Sequence, residues 1–129
     1  MARVDLSGEW TLRQVGSDEI IKAHVPGDVH SALLACGKIP DPYWADNEQA
    51  VQWVGRADWE YARTFVVDGA MLEAPSVYLH FDTIDTFSEV YLNGQLVAKT
   101  DNMFLRHRFE VKRLLVAGEN ELRVVLRSA

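Results

Sequence analysis

The sequence predicts an all-β sandwich with one or two short helices, and three observations lead there. Short segments in which apolar and polar residues alternate recur along the chain, most cleanly at residues 76–82 and 122–127, and a period of two marks a strand with one buried face. Asn93-Gly94 stands directly between two apolar segments; both residues tolerate the positive φ of a type I′ turn, which makes the pair a strong hairpin signal. Helical spacing with clear stop signals is confined to a short segment after Pro26-Gly27. Many short strands, regular turns and little helix are the pattern of a sandwich.

Taken in order, residues 10–15 form a first strand with Gly16-Ser-Asp18 as its turn, and the β-branched residues 20–25 form a second. Pro26-Gly27 ends it, and Asp28 occupies an N-cap position. Val29, Ala32, Leu33 and Cys36 then repeat at i, i+3, i+4 and i+7, one helix face, with Gly37 as the C′ residue. This spacing places Cys36 inward as a small core hydrophobe. Asn47 is expected to cap a turn or two of helix through Val51 and Trp53.

The chain returns to strand at residues 59–67, with Tyr61, Arg63, Phe65 and Val67 on one face, and residues 68–75 read as a loop. In the next strand Val77, Leu79 and Phe81 point inward while Tyr78 and His80 point outward. Residues 87–92 and 95–99 flank the Asn-Gly hairpin. After a loop at 100–104, residues 106–111 form a strand with Phe109 and Val111 inward. Residues 112–116 make a turn whose leucines tuck under the sandwich. Ala117-Gly-Glu-Asn120 turns the chain into a last strand, with Leu122, Val124 and Leu126 facing the core.

Residues 39–61 stand apart. They hold three of the four tryptophans (Trp44, Trp53, Trp59), two of the four tyrosines (Tyr43, Tyr61), and Asp41 between Pro40 and Pro42. Such a segment is an ordered loop folded over a surface, since each ring buries about 150–250 Å² when it finds one. The rings either cap the open end of the core or face a carbohydrate, and different rings can do each.

At 129 residues and 48% hydrophobic, the chain is one domain's worth. A net charge of −6 with scattered basic residues argues against nucleic acid and anionic membrane as partners. No apolar run approaches the roughly 20 residues of a membrane span, and the N-terminal residues lack the apolar core of a signal peptide. The single cysteine makes a reducing cytosol the expected compartment. His24, His30, His80 and His107 show no ligand spacing, so no metal is expected there. Asp82, Asp85 and Glu89 straddle a strand–turn–strand junction, where solvated turn carboxylates are favoured over a calcium site. Neither a nucleophile elbow nor a phosphate loop is present. Glycosidic cleavage needs two carboxyls held about 5–5.5 Å or 6.5–9.5 Å apart, and the sequence selects no such pair among its 19 acidic residues.

Several motifs together carry a family resemblance: Leu6-Ser-Gly-Glu-Trp10, Val25-Pro-Gly-Asp-Val-His30 with Leu33-Leu34, Ile39-Pro-Asp-Pro-Tyr43, Asn47-Glu48, Trp53-Val54 and Asp58-Trp-Glu-Tyr61. Phe81-Asp-Thr-Ile-Asp-Thr86, Val90-Tyr-Leu-Asn-Gly94, Asn102-Met-Phe104 and Gly118-Glu-Asn-Glu-Leu122 complete the set. In this order they resemble the N-terminal domain of β-mannosidases of glycoside hydrolase family 2, over essentially the whole chain. The resemblance implies a jelly-roll sandwich of the galactose-binding type at the front of a longer retaining hydrolase, residues 1–129 forming one N-terminal domain cut before its final strand. It implies immunoglobulin-like and TIM-barrel domains downstream, with the catalytic glutamates in the barrel, so no catalytic residue and no cofactor are expected here. A Gly-Trp-Asp-Trp-Gly-Pro motif that lends a sugar contact in that family would follow Ala129. Trp44, Asn47, Glu48 and Trp53 match positions near the family's functional edge and are the expected substrate-binding residues. A strand edge left uncovered by the cut would favour self-association. The rival reading is a free-standing carbohydrate-binding module with an exposed aromatic platform.

Overall fold

A computed structural model describes residues 3–26, 29–37, 52–81, 87–100 and 107–127. Among these residues eight strands run β1 (Gly8–Gln14), β2 (Ile21–Val25), β3 (Trp59–Val67), β4 (Tyr78–Phe81), β5 (Ser88–Leu92), β6 (Gln95–Thr100), β7 (His107–Glu110) and β8 (Gly118–Leu126). Helix α1 (Val29–Ala35) follows β2, α2 (Gln52–Arg56) precedes β3 and α3 (Gly69–Leu72) follows it; Lys112–Leu114 is a 3₁₀ turn.

Six strands make one antiparallel sheet in the order β2-β1-β3-β8-β5-β6, and β4 pairs with β7 in a second. The longest pairing joins β3 to β8 over nine residues, from Trp59 opposite Leu126 to Val67 opposite Gly118. Chain order and sheet order differ, because β8 inserts between β3 and β5. The closing strand of the sequence is therefore central. Among the described residues the larger sheet ends at β2 and β6, while β4 and β7 pair only with each other.

The register fixes which side chains meet. Trp10 and Leu12 of β1, Tyr61 of β3, Leu122 and Val124 of β8, and Val90 and Leu92 of β5 share the inner face. They form one core with Leu79 of β4, Val111, and Ala32 and Leu33 of α1, against which Phe81, Phe109, Leu114 and Leu115 pack. Phe81 and Phe109 meet edge-on at 6.4 Å across the small sheet, a favoured geometry for aromatic pairs. The inward assignments of Val77, Leu79, Phe81, Leu122, Val124 and Leu126 follow the observed burial. The Asn93-Gly94 turn has φ of +52° and +82°, as a type I′ hairpin requires.

Four expectations need correction. Cys36 is exposed, not in the core. The helix ends at Ala35, and Cys36 N donates to Ala32 O while Gly37 (φ +71°) donates to Leu34 O, so the chain unwinds before the i+7 position can face inward. Residues 68–75 contain α3, because Asp68 caps it by accepting from Met71 N at 3.0 Å. The turn expected at 117–120 is largely strand, since β8 starts at Gly118. Thr100 belongs to β6, where its hydroxyl pairs with that of Ser88 inside the sandwich. With α3 counted, three short α-helices are present among the described residues, one more than the upper count expected.

Candidate functional site

Of the four residues expected to bind substrate, Trp44, Asn47 and Glu48 lie outside the described residues; Trp53 is described. It stands on α2, a five-residue helix that ends where β3 begins. Trp59, the first residue of β3, is buried, and its indole Nε1 donates to Val54 O at 2.8 Å. That bond locks α2 onto the start of β3 and satisfies a polar group that burial would otherwise leave without water. Trp53 lies against Trp59 with ring centroids 5.8 Å apart and an interplanar angle of 42°, and 42% of it remains exposed. One tryptophan therefore anchors the end of the sandwich, and the other covers it with an open face.

Around this pair the β1–β2 turn closes in. Ser17 N donates to Gln14 O at 2.9 Å, Val15 N to Asp58 O at 2.9 Å, and Arg13 Nη1 to Ser17 O at 3.1 Å. Trp53, Trp59, Leu12, Arg13, Ser17, Glu19 and Leu33 line a depression of about 130 Å³. Sites that enclose a small ligand usually run from about 300 to 1,000 Å³, so the hollow can seat an edge or stack a ring but cannot enclose a sugar. A larger cleft of about 1190 Å³ lies between the two sheets. Its walls are the core side chains Trp10, Phe65, Leu79 and Phe81, and its mouth carries Arg3, Asp5 and Arg108, so it is the interlayer space of the sandwich. At that mouth the Arg108 guanidinium lies 4.0 Å from the Tyr78 ring centre.

The outer face of the large sheet carries charge that sequence reading had not grouped. Arg13 Nε contacts Glu60 Oε2 at 2.5 Å, Arg123 Nη1 contacts Glu60 Oε1 at 3.2 Å, and Arg123 Nε contacts Glu121 Oε1 at 2.6 Å. Glu60 is only 8% exposed, flanked on either side by arginine. A second cluster joins Asp58, Arg127 and Glu89, with Arg127 Nη1 to Asp58 at 3.0 Å and Nη2 to Glu89 at 2.9 Å. The Arg127 hydrogen bond holds the Glu89 carboxyl below its ordinary range, and the same contact raises Arg127. Burial, then Glu89, pushes the Tyr91 hydroxyl up. Glu89 is thus committed to ion pairing. The signal was available: residues 58, 60, 89, 121, 123 and 127 are charged, and strand alternation puts the last two opposite the inward positions 122, 124 and 126. Which strands lie side by side was not available.

A family model described as the glycosyl hydrolase 2 galactose-binding domain-like domain matches residues 10–129. The chain belongs to this family. Relatives of the chain carry β-mannosidase names. It is 40% identical over 129 residues to β-mannosidase B of Thermothelomyces thermophilus, covering 98% of this chain and 15% of that protein. It is 36% identical over 124 residues to β-mannosidase of Mus musculus, covering 96% and 14%. Among solved structures, a β-D-mannosidase from Dictyoglomus thermophilum superposes with a TM-score of 0.97 at 50% identity, over 99% of this chain and 16% of that one. The galactose-binding-like domain described here thus spans about 15% of the length of such relatives.

Proposed function

We propose that this chain is the N-terminal, non-catalytic sandwich domain of a β-mannosidase-like retaining glycoside hydrolase. In this reading it forms part of the wall of the substrate pocket and packs on downstream immunoglobulin-like and TIM-barrel domains, which hold the catalytic glutamates. The observation that carries the reading is the likeness to the D. thermophilum β-D-mannosidase at 50% identity and a TM-score of 0.97, of which this chain matches 16%. Trp53, with Trp44, Asn47 and Glu48, is assigned to the edge that meets sugar or the neighbouring domain. The small hollow beside Trp53 supports a contributory role, since an edge contact needs a second wall to enclose a sugar.

The test compares the 129-residue chain with the longer protein that contains it, using aryl β-mannoside hydrolysis. Turnover is expected only in the longer protein, and Trp53→Ala there should raise KM or loosen domain docking. Turnover by highly purified short chain, abolished by one Asp or Glu substitution, would overturn the reading. The half-exposed Trp53 ring favours one alternative, a free-standing carbohydrate-binding module. Calorimetric titration of the short chain with mannose or mannobiose separates the two: the domain reading expects weak or no binding, the module reading tight binding lost in Trp53→Ala. We also propose that the short chain self-associates through its strand edges. Among the described residues the end strands β2 and β6 and the two-stranded β4–β7 sheet support this, and light scattering across a dilution series tests it.

A further inference from the structure

Asn93 and Gly94 form the hairpin turn between β5 and β6, and Gly94 has open space where a Cβ would stand. An asparagine followed by glycine is chemically labile, because no side chain hinders the following amide. The deprotonated Gly94 nitrogen attacks the Asn93 side-chain carbonyl carbon and closes a five-membered succinimide. Ammonia leaves with the side-chain nitrogen. Water then opens the ring at either carbonyl, giving aspartate or isoaspartate.

The fold holds that side chain elsewhere. Asn93 Oδ1 accepts from Glu121 N at 2.9 Å, and Asn93 N donates to Glu121 O at 2.9 Å, so the side-chain amide extends the β5–β8 pairing as a main-chain carbonyl would. Asn93 Nδ2 donates to Leu114 O and to Asn120 Oδ1, both at 2.8 Å. Expelling that nitrogen as ammonia breaks two of these bonds, and turning Cγ toward Gly94 breaks the third.

We propose that Asn93 is a deamidation site gated by this network: closed while the hairpin is docked on β8 and the 3₁₀ turn, and open when that junction unfolds locally. The product cannot restore the dock. Aspartate at this position keeps an acceptor for Glu121 N but presents oxygen to two acceptors, Leu114 O and Asn120 Oδ1. Rotation of the Asn120 amide offers no relief, since its Nδ2 donates to Val116 O and Gly118 O and its Oδ1 accepts from Val116 N. Isoaspartate adds a methylene to the backbone of a two-residue turn. Deamidation at Asn93 therefore records past openings of the hairpin and leaves the chain less stable.

The experiment incubates the wild-type chain at mildly alkaline pH, folded and in concentrated urea, and follows the Asn93 peptide by mass spectrometry. The folded sample should deamidate at least about tenfold more slowly, the factor that one or two net hydrogen bonds provide. Asn120→Ala removes one restraint and leaves Asn93-Gly94 intact, so under conditions where circular dichroism shows it folded its rate should rise toward the urea value. Asn93→Asp should lower the urea midpoint, a readout that needs no deamidation. Equal rates for wild type in the two conditions, an unchanged rate in folded Asn120→Ala, or an Asn93→Asp chain as stable as wild type would each overturn the proposal.

Discussion

Asn120→Ala is the substitution expected to cost most for its size. Asn120 is 1% exposed and makes four side-chain hydrogen bonds. It accepts from Val116 N at 2.9 Å and Asn93 Nδ2 at 2.8 Å, and donates to Val116 O at 2.9 Å and Gly118 O at 3.1 Å. Together these tie the 3₁₀ turn, the entry to β8 and the β5–β6 hairpin into one junction. Each bond contributes about 1 kcal/mol net. Val116 and Gly118 are exposed and regain some water, so the expected loss is about 3 kcal/mol rather than the full sum. For a domain of this size that corresponds to a fall in Tm of about 10 °C. Urea unfolding followed by tryptophan fluorescence should show a lower midpoint with an unchanged slope. Asn120→Asp should be at least as damaging at neutral pH, because it turns two donations into repulsions and buries a charge. A loss below about 1 kcal/mol for Asn120→Ala would mean that its partners are satisfied without it, and the junction would not depend on this residue.

Further outcomes follow from the core, the outer face and the helix end. Leu12→Ala, at a fully buried position where β1 packs between β2 and β3, should cost about 2–5 kcal/mol in urea unfolding; under 1 kcal/mol would place it outside the core. The folded-state pKa of Glu89 is depressed by Arg127, so its contribution is fully present above the ordinary value of 4.5 and is lost as pH falls through the lower folded value. Glu89→Gln should therefore destabilise by roughly 0.5–1 kcal/mol at neutral pH, the difference shrinking in strong acid; a pH-independent difference would remove the ion pair as its cause. Cys36 should react with a thiol reagent in the native chain as fast as in urea, and protection in the native state would restore the inward placement that the structure overturns.

Much of the fold was legible because strand signals are local. The Asn93-Gly94 turn, the inward sets on β4 and β8, and the run from Trp59 to Val67 follow from period-two alternation and turn chemistry, which need no knowledge of partners. Local rules failed where a tertiary contact replaced them. Periodicity carried Cys36 inward because it cannot show where a helix unwinds. Asn120 read as a turn residue, since asparagine favours turns, yet its amide is buried by groups drawn from Val116, Gly118 and Asn93. The concentration of aromatic rings at residues 39–61 was visible in the sequence. The division of labour between Trp53 and Trp59 was not, because both rings have the same chemistry, and the burial of Trp59 and its hydrogen bond to Val54 O arise only in the fold.

The sequence by itself determined the class of the fold, the strand faces, the hairpin and, through its motifs, the family. Only the tertiary structure decided that β8 inserts between β3 and β5. That choice puts Glu60 within reach of Arg123 and Glu89 within reach of Arg127, while the β1–β3 pairing brings Arg13 to the other side of Glu60. The physical reason is that alternation along a strand specifies which face is buried, whereas the neighbour of each strand is set by long-range pairing and packing, which no local pattern encodes.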